Sequence, residues 1–243
     1  MNLIIDIGNT NTKIALFNGN KMLKHRSYSS KKVMSYLEDI IRHNKPKYAL
    51  ISEVGNKLTG IEDLFKKYKV QHYNLSTKLK LPFEIDYKTP ETLGADRIAL
   101  VAGAIANQPN TNKLIIDAGT CITYDFVDEN NVYHGGAISP GIDLRFKSLN
   151  DYTAKLPLLK LPKEKIPLTG YDTKTSIEAG VIWGLVNEIE WFSVKYNLKY
   201  KDLTIFLTGG SQKLLDSYIK NMIFVVSKFI LLEGMNSILN LNK

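Results

Sequence analysis

The stretch LIIDIGNTNTKIALF, Leu3 to Phe17, returns as LIIDAGTCITYDFV, Leu114 to Val127. Each copy opens on a branched apolar run suited to a strand buried on both faces and reaches an aspartate, Asp6 or Asp117. Glycine follows two residues later (Gly8, Gly119), and a second β-rich run begins. The local reading is strand, tight turn, strand. One such match could be chance. The same word opening both halves predicts two duplicated domains, 1–109 and 110–243, joined in the loop-like NQPNTN of Asn107 to Asn112.

Outward from the first copy, hydrophobic period and turn residues predict strands near 3–7, 11–18 and 22–29, a helix near 32–44 and a strand at 48–52. A helix near 60–68, a short strand at 70–73 and a helix at 93–107 follow. The second half repeats the theme, with strands near 114–118, 121–128 and 131–138 and helices near 141–154 and 173–196. A strand at 203–208, a helix near 211–220, a short strand at 222–226 and a C-terminal helix complete it. Three strands ahead of the first helix is not the dinucleotide-binding alternation, and neither GxGxxG nor GxxxxGKS/T occurs. A phosphate ligand would need another device.

An apolar share of 44% with 23% charged residues excludes disordered and collagen-like chains. The net charge of +8 invites a nucleic-acid reading, but residues 18–80 hold 14 basic against 5 acidic side chains, leaving the remainder at −1. No basic run there alternates with aromatics. A solvated basic face is expected, with no nucleic-acid partner and a weak pull on anionic substrates. Cys121 stands alone, and His25, His43, His72 and His134 lack metal-ligand spacing, so neither a disulfide nor a zinc site is expected. Asp6 interrupts what a signal peptide would keep apolar, and no run approaches membrane-spanning length. A soluble cytoplasmic protein without membrane contact is expected.

The turn Asp6, Ile7, Gly8, Asn9, Thr10, Asn11, Thr12, Lys13 can aim several N–H groups at phosphate oxygens while its aspartate holds magnesium through water. It reads equally as an ordinary hairpin, where Gly and Asn are expected anyway. Its repetition at Asp117, Gly119 and Thr120 favours a cation and phosphate site. LTGGS, Leu207 to Ser211, is a strand ending in paired glycines, against which a flat ligand could lie.

These three elements, in this order, resemble the ATPase fold of actin, sugar kinases and heat-shock ATPases. Further motifs narrow the resemblance. YKTPETLGADR (Tyr87–Arg97), GGAISPG (Gly135–Gly141), TAKLP (Thr153–Pro157), Asp172-Thr173 ahead of Ala179-Gly180, and LTGG together resemble the type III pantothenate kinases over nearly the whole chain.

The resemblance implies an α/β fold of two duplicated ribonuclease H-like domains of the actin-like ATPase type with an interdomain cleft. It also implies phosphorylation of pantothenate by ATP, the first step of coenzyme A synthesis, in a homodimer that uses Mg2+ and a monovalent cation, K+ or NH4+. Residues 6 to 13 and Thr120 would contact ATP; Tyr87, Gly94, Ala95, Asp96, Arg97 and Thr173 would line the pantothenate site. Asp96 would be the general base, Asp117 the cation ligand, and Thr173 would reach substrate across the dimer.

Structural alternatives stand beside these roles: helix-start electrostatics with a surface arginine for Asp96 and Arg97, a turn cap for Asp117, and a helix N-cap for Thr173. Cys121 is read as a small buried side chain, and Trp183, Trp191, Phe192, Gly180 and Gly184 as helix packing. Cys121, where the family usually has alanine, and Ser52-Glu53-Val54-Gly55 depart from the family pattern. A nucleotide-dependent regulator on the same fold is the competing function.

Overall fold

The structure is a computed structural model and describes the chain apart from residues 9–10, 30–32, 54–57, 163–164 and 221. Two compact units emerge: residues 1–110 with 130–133 and 229–243, and residues 111–129 with 134–228.

In the first unit the sheet runs in the order β3 (Lys21–Ser29), β2 (Asn11–Asn18), β1 (Asn2–Ile7), β4 (Tyr48–Glu53), β5 (Gln71–Asn74). Central β1 pairs antiparallel with β2 and parallel with β4, and all six of its residues are buried. Alternation explains this. Leu3, Ile5 and Ile7 join a core with Val33, Leu37 and Ile41 of α1 (Val33–Asn44) and Ile61, Leu64 and Phe65 of α2 (Ile61–Tyr68). The opposite face of β1, carrying Ile4 and Asp6, belongs to the side where α3 (Ala95–Asn107) and the C-terminal α7 (Ile230–Asn242) pack. Each wholly buried Leu or Ile here stabilises the unit by about 1.5–3 kcal/mol before entropy is counted.

The second unit holds β7 (Asn112–Ala118), β8 (Cys121–Val127), most of β9 (Val132–Pro140), α4 (Ile142–Asp151), α5 (Thr173–Lys199), β10 (Leu203–Thr208), α6 (Gln212–Tyr218) and β11 (Val225–Val226). Its strands run β9-β8-β7-β10-β11, which matches β3-β2-β1-β4-β5 place for place. The repeated word at Leu3 and Leu114 is thus a repeated topology. The core on one face combines Leu114, Ile116 and Ala118 with Ile182, Leu185 and Ile189 of α5.

Helix α7 follows β11 as α3 follows the strands of the first half, yet it packs on α3 in the first unit. Two glycines permit the approach: a Cβ on Gly103 would strike the Ile230 carbonyl, and one on Gly234 the Ala99 carbonyl. Asn2 fastens the far end by donating to Asn236 at 2.7 Å and Asn240 at 2.9 Å.

The expected elements are present, with ends shifted by a few residues: α3 begins at Ala95, α4 stops at Asp151 and α6 at Tyr218. Two were not foreseen, the short strand β6 (Glu84–Ile85), paired with Val132 and Tyr133, and a 3-10 turn over Pro90–Thr92. Two-residue strands carry too little period to read. Among the described residues no helix is long and apolar enough to cross a membrane.

Candidate active site

Asp6 sits one residue from the end of β1 and is 5% exposed. Across β2 its partner in register is Lys13, whose Nζ lies 3.2 Å from Asp6 Oδ2. Across β4 it is in register with Ser52, which is fully buried and whose hydroxyl has no hydrogen-bond partner among the described residues. The Gly8 N–H donates to the Asn11 carbonyl at 3.1 Å and closes the turn. Ile7 and Thr12 are buried, whereas Asn11 and Lys13 are exposed. Asn9 and Thr10, expected to contact ATP, lie outside the described residues, as do Val54 and Gly55 of the departing segment.

Gly94 occupies the position before α3, and Asp96 and Arg97 lie in its first turn. Asp96 Oδ1 accepts from the Arg97 N–H at 2.8 Å, and a Cβ on Gly94 would come within 2.5 Å of that same oxygen. The glycine therefore leaves room for the carboxylate. Arg97 is 6% exposed, which replaces the surface-arginine alternative. Its guanidinium lies over the Tyr133 ring, 5.9 Å from the centroid, and the Tyr87 ring packs on Tyr133 from 6.1 Å. Tyr133 thus ties Tyr87 to Arg97, a role sequence reasoning missed although Tyr133 stands two residues before the GGAISPG motif.

In the second unit three motifs converge. The Gly119 N–H donates to the Cys121 carbonyl at 3.1 Å, making this turn one residue tighter than its counterpart. Gly141 donates to the Thr120 carbonyl at 3.0 Å, and a Cβ there would strike the carbonyls of Gly119 and Thr120. Gly209 of LTGG has φ of 95°, and a Cβ on it would lie 2.5 Å from Asp117 Oδ1. Gly210, by contrast, faces open space. Thr123, in register with Asp117 across β8, is 9% exposed with no hydroxyl partner among the described residues.

Thr173 is the first residue of α5, not its cap. Asp172 caps the helix, accepting from the Thr175 N–H at 2.7 Å while Thr175 Oγ1 accepts from the Asp172 N–H at 3.1 Å. The hydrogen bonds from the Thr175 backbone, then from its side chain, hold the Asp172 carboxyl below its usual range. Thr173 is exposed and lines a groove of about 700 Å³ with Arg145, Leu149, Leu156 and Gly180. Three packing expectations change. Cys121 is exposed because it opens β8 beside the turn. Trp191 is 57% exposed, and a Cβ on Gly180 or Gly184 would meet nothing, so all three lie on an open face of α5.

Among the described residues no group of three or more His, Cys, Asp or Glu could hold a metal ion. A cation here would be held by one carboxylate, ligand oxygens and neutral donors. Asp117 with the orphaned Thr123 hydroxyl fits that donor set for a hard monovalent ion.

The family model for type III pantothenate kinase matches residues 2–194. A type III pantothenate kinase of Christiangramia forsetii is 44% identical over 100% of this chain and 99% of its own length, and one of Flavobacterium psychrophilum is 44% identical over the full length of both. The chain belongs to the type III pantothenate kinase family. The kinase transfers a phosphoryl group from ATP to pantothenate, the first step of coenzyme A synthesis. Its fold extends to remoter proteins. A Campylobacter jejuni protein of the Baf family of transcriptional activators superposes with a TM-score of 0.62 at 21% identity, covering 98% of this chain and 97% of that one. A glucokinase from an Antarctic psychrotroph gives 0.53 at 14% identity, covering 98% of both chains. The fold is α/β with two mixed sheets of the actin-like ATPase type.

Proposed function

We propose that Asp96 is the general base of this kinase. The observation that carries it is a carboxylate in the first turn of α3, given room by Gly94 and flanked by an arginine held over Tyr133. The carboxylate takes the proton of the primary hydroxyl as its oxygen attacks the γ-phosphorus, and ADP departs with the bond to the β,γ-bridging oxygen. Arg97 pairs with the pantothenate carboxylate, and Tyr87, Gly94 and Ala95 shape the rest of that site. The backbone of residues 6–13 and Thr120 contact ATP, with Lys13 exchanging Asp6 for phosphate oxygens. Mg2+ bound with ATP supplies charge neutralisation; Asp6 would hold it through water. Asp117 and the Thr123 hydroxyl would hold K+ or NH4+, offsetting repulsion between carboxylate and phosphates.

The open face of α5, bearing Gly180, Gly184, Trp191, Val194 and Leu198 at helical spacing, supports a homodimer in which a second copy covers it and Thr173 reaches the neighbouring substrate. The protein is assigned to the cytoplasm. A regulator would have no use for an assembled acceptor set, which favours the enzyme. ADP release with purified protein, ATP and magnesium, with and without pantothenate, is the test: pantothenate-dependent release is expected, and equal release in both arms would overturn the reading.

A further inference from the structure

Glu188 lies well inside α5, in none of the motifs that mark the site. Its carboxylate gathers three donors. Tyr124 donates to Oε1 at 2.8 Å, while Ser139 Oγ at 3.0 Å and Arg145 Nη2 at 2.5 Å donate to Oε2. Arg145 makes two further bonds at the same corner, with Nε on the Pro140 carbonyl at 2.8 Å and Nη2 on Ser139 Oγ at 2.8 Å. The next residue, Gly141, is the one whose N–H bonds the Thr120 carbonyl and whose missing side chain admits the Gly119 and Thr120 carbonyls. Carboxylate, guanidinium, corner and turn form an unbroken chain within the second unit. Tyr124 is wholly buried, and burial followed by its bond to Glu188 pushes its phenol up, so it remains a donor at any working pH.

A partly enclosed ion pair of this kind adds little stability that apolar packing could not supply. What apolar residues could not supply is a hydrogen bond to the Pro140 carbonyl, the backbone group directly before Gly141.

We infer that Glu188, acting through Arg145 and Ser139, is a positioning residue that sets the Gly119–Thr120 turn against Gly141 and thereby places the kinase's nucleotide contact. The inference rests on the reading that this turn touches ATP. Glu188→Gln weakens the grip on Arg145 at constant volume; Arg145→Lys keeps the charge but loses the fork; Thr120→Ala is the reference for direct contact. In the full-length kinase, Glu188→Gln and Arg145→Lys are each expected to raise the ATP KM about 5- to 20-fold, with the pantothenate KM within about 2-fold and unchanged far-UV circular dichroism. Pairing Glu188→Gln with Thr120→Ala should cost less than the two effects combined.

If Thr120→Ala raises the ATP KM and the other two do not, the positioning role is overturned while the ATP reading survives. Loss of melting temperature with both KM values moving together would make Glu188 merely structural and overturn it too. If Glu188→Gln raises the ATP KM and Thr120→Ala does not, the positioning role stands and the Thr120 side chain loses its part. If none of the three moves it, both readings fall.

Discussion

Gly209 lies against Asp117: a Cβ on it would stand 2.5 Å from the aspartate's Oδ1 and equally close to the Ala118 backbone, and its φ of 95° is one that L side chains rarely adopt. The strand-end carboxylate and the LTGG turn are thus one structural unit, fastened also by the Ser211 N–H on the Ala118 carbonyl at 3.0 Å. Gly209→Ala should lower stability by about 1–3 kcal/mol and displace the Asp117 carboxylate. Gly210→Ala, with nothing near its Cβ, should leave the melting temperature unchanged. If Gly210→Ala nonetheless raises the ATP KM, ligand rather than protein occupies that space. Equal melting temperatures for both variants would contradict the crowding and backbone strain at Gly209.

Asp96→Asn keeps the size of the side chain and its bond from the Arg97 N–H but removes the base. Turnover is expected to fall about 100-fold or more with ATP binding retained, measured by steady-state kinetics and nucleotide titration. Near wild-type turnover in folded protein would remove Asp96 from the chemistry.

Thr123→Val replaces an unpartnered buried hydroxyl with a methyl group. Without potassium the variant should be slightly more stable than wild type, since no buried polar group is left unpaired. If potassium binds at Asp117 as proposed, the variant should also lose most of the thermal stabilisation that potassium would give, and need about 5- to 10-fold more potassium for half-maximal activity. An unchanged potassium response would leave Asp117 without this hydroxyl as a partner.

Asp172 supplies a pH signature. Its folded-state carboxyl lies below the ordinary value, so its stabilising contribution is complete above about pH 4 and fades as pH falls through the depressed folded value. Asp172→Ala should lower the melting temperature by a few degrees at pH 7, roughly what a lost N-cap costs, with the gap to wild type closing in acid. A gap that widens on acidification would contradict the cap.

The open α5 face should be what joins two copies. Trp191→Glu is expected to shift the protein towards monomer in sedimentation. Mixing inactive Asp96→Asn with inactive Thr173→Tyr should restore activity, because one site of the heterodimer would be free of both changes. No recovery after demonstrated subunit exchange would argue for sites built from a single chain.

The sequence by itself determined what is written in short periods: the duplicated strand, turn and strand at Asp6 and Asp117, the helix that buries Val33, Leu37 and Ile41, and the motif order that identifies the family. Alternation and helical spacing are local geometry, so neighbouring residues suffice to reveal them. Tertiary structure alone decided that Tyr133 lies beneath Arg97, that Gly209 packs on Asp117, that Glu188 and Arg145 brace the Pro140 corner, and that α7 returns to the first unit. Those pairings join residues that are mostly far apart in the chain, and each depends on which faces the folded sheets and helices present. A tyrosine before a glycine pair or a glutamate in a long helix carries no local mark of its partner, because a hydrogen bond or ring contact is selected only when packing brings the two groups within reach.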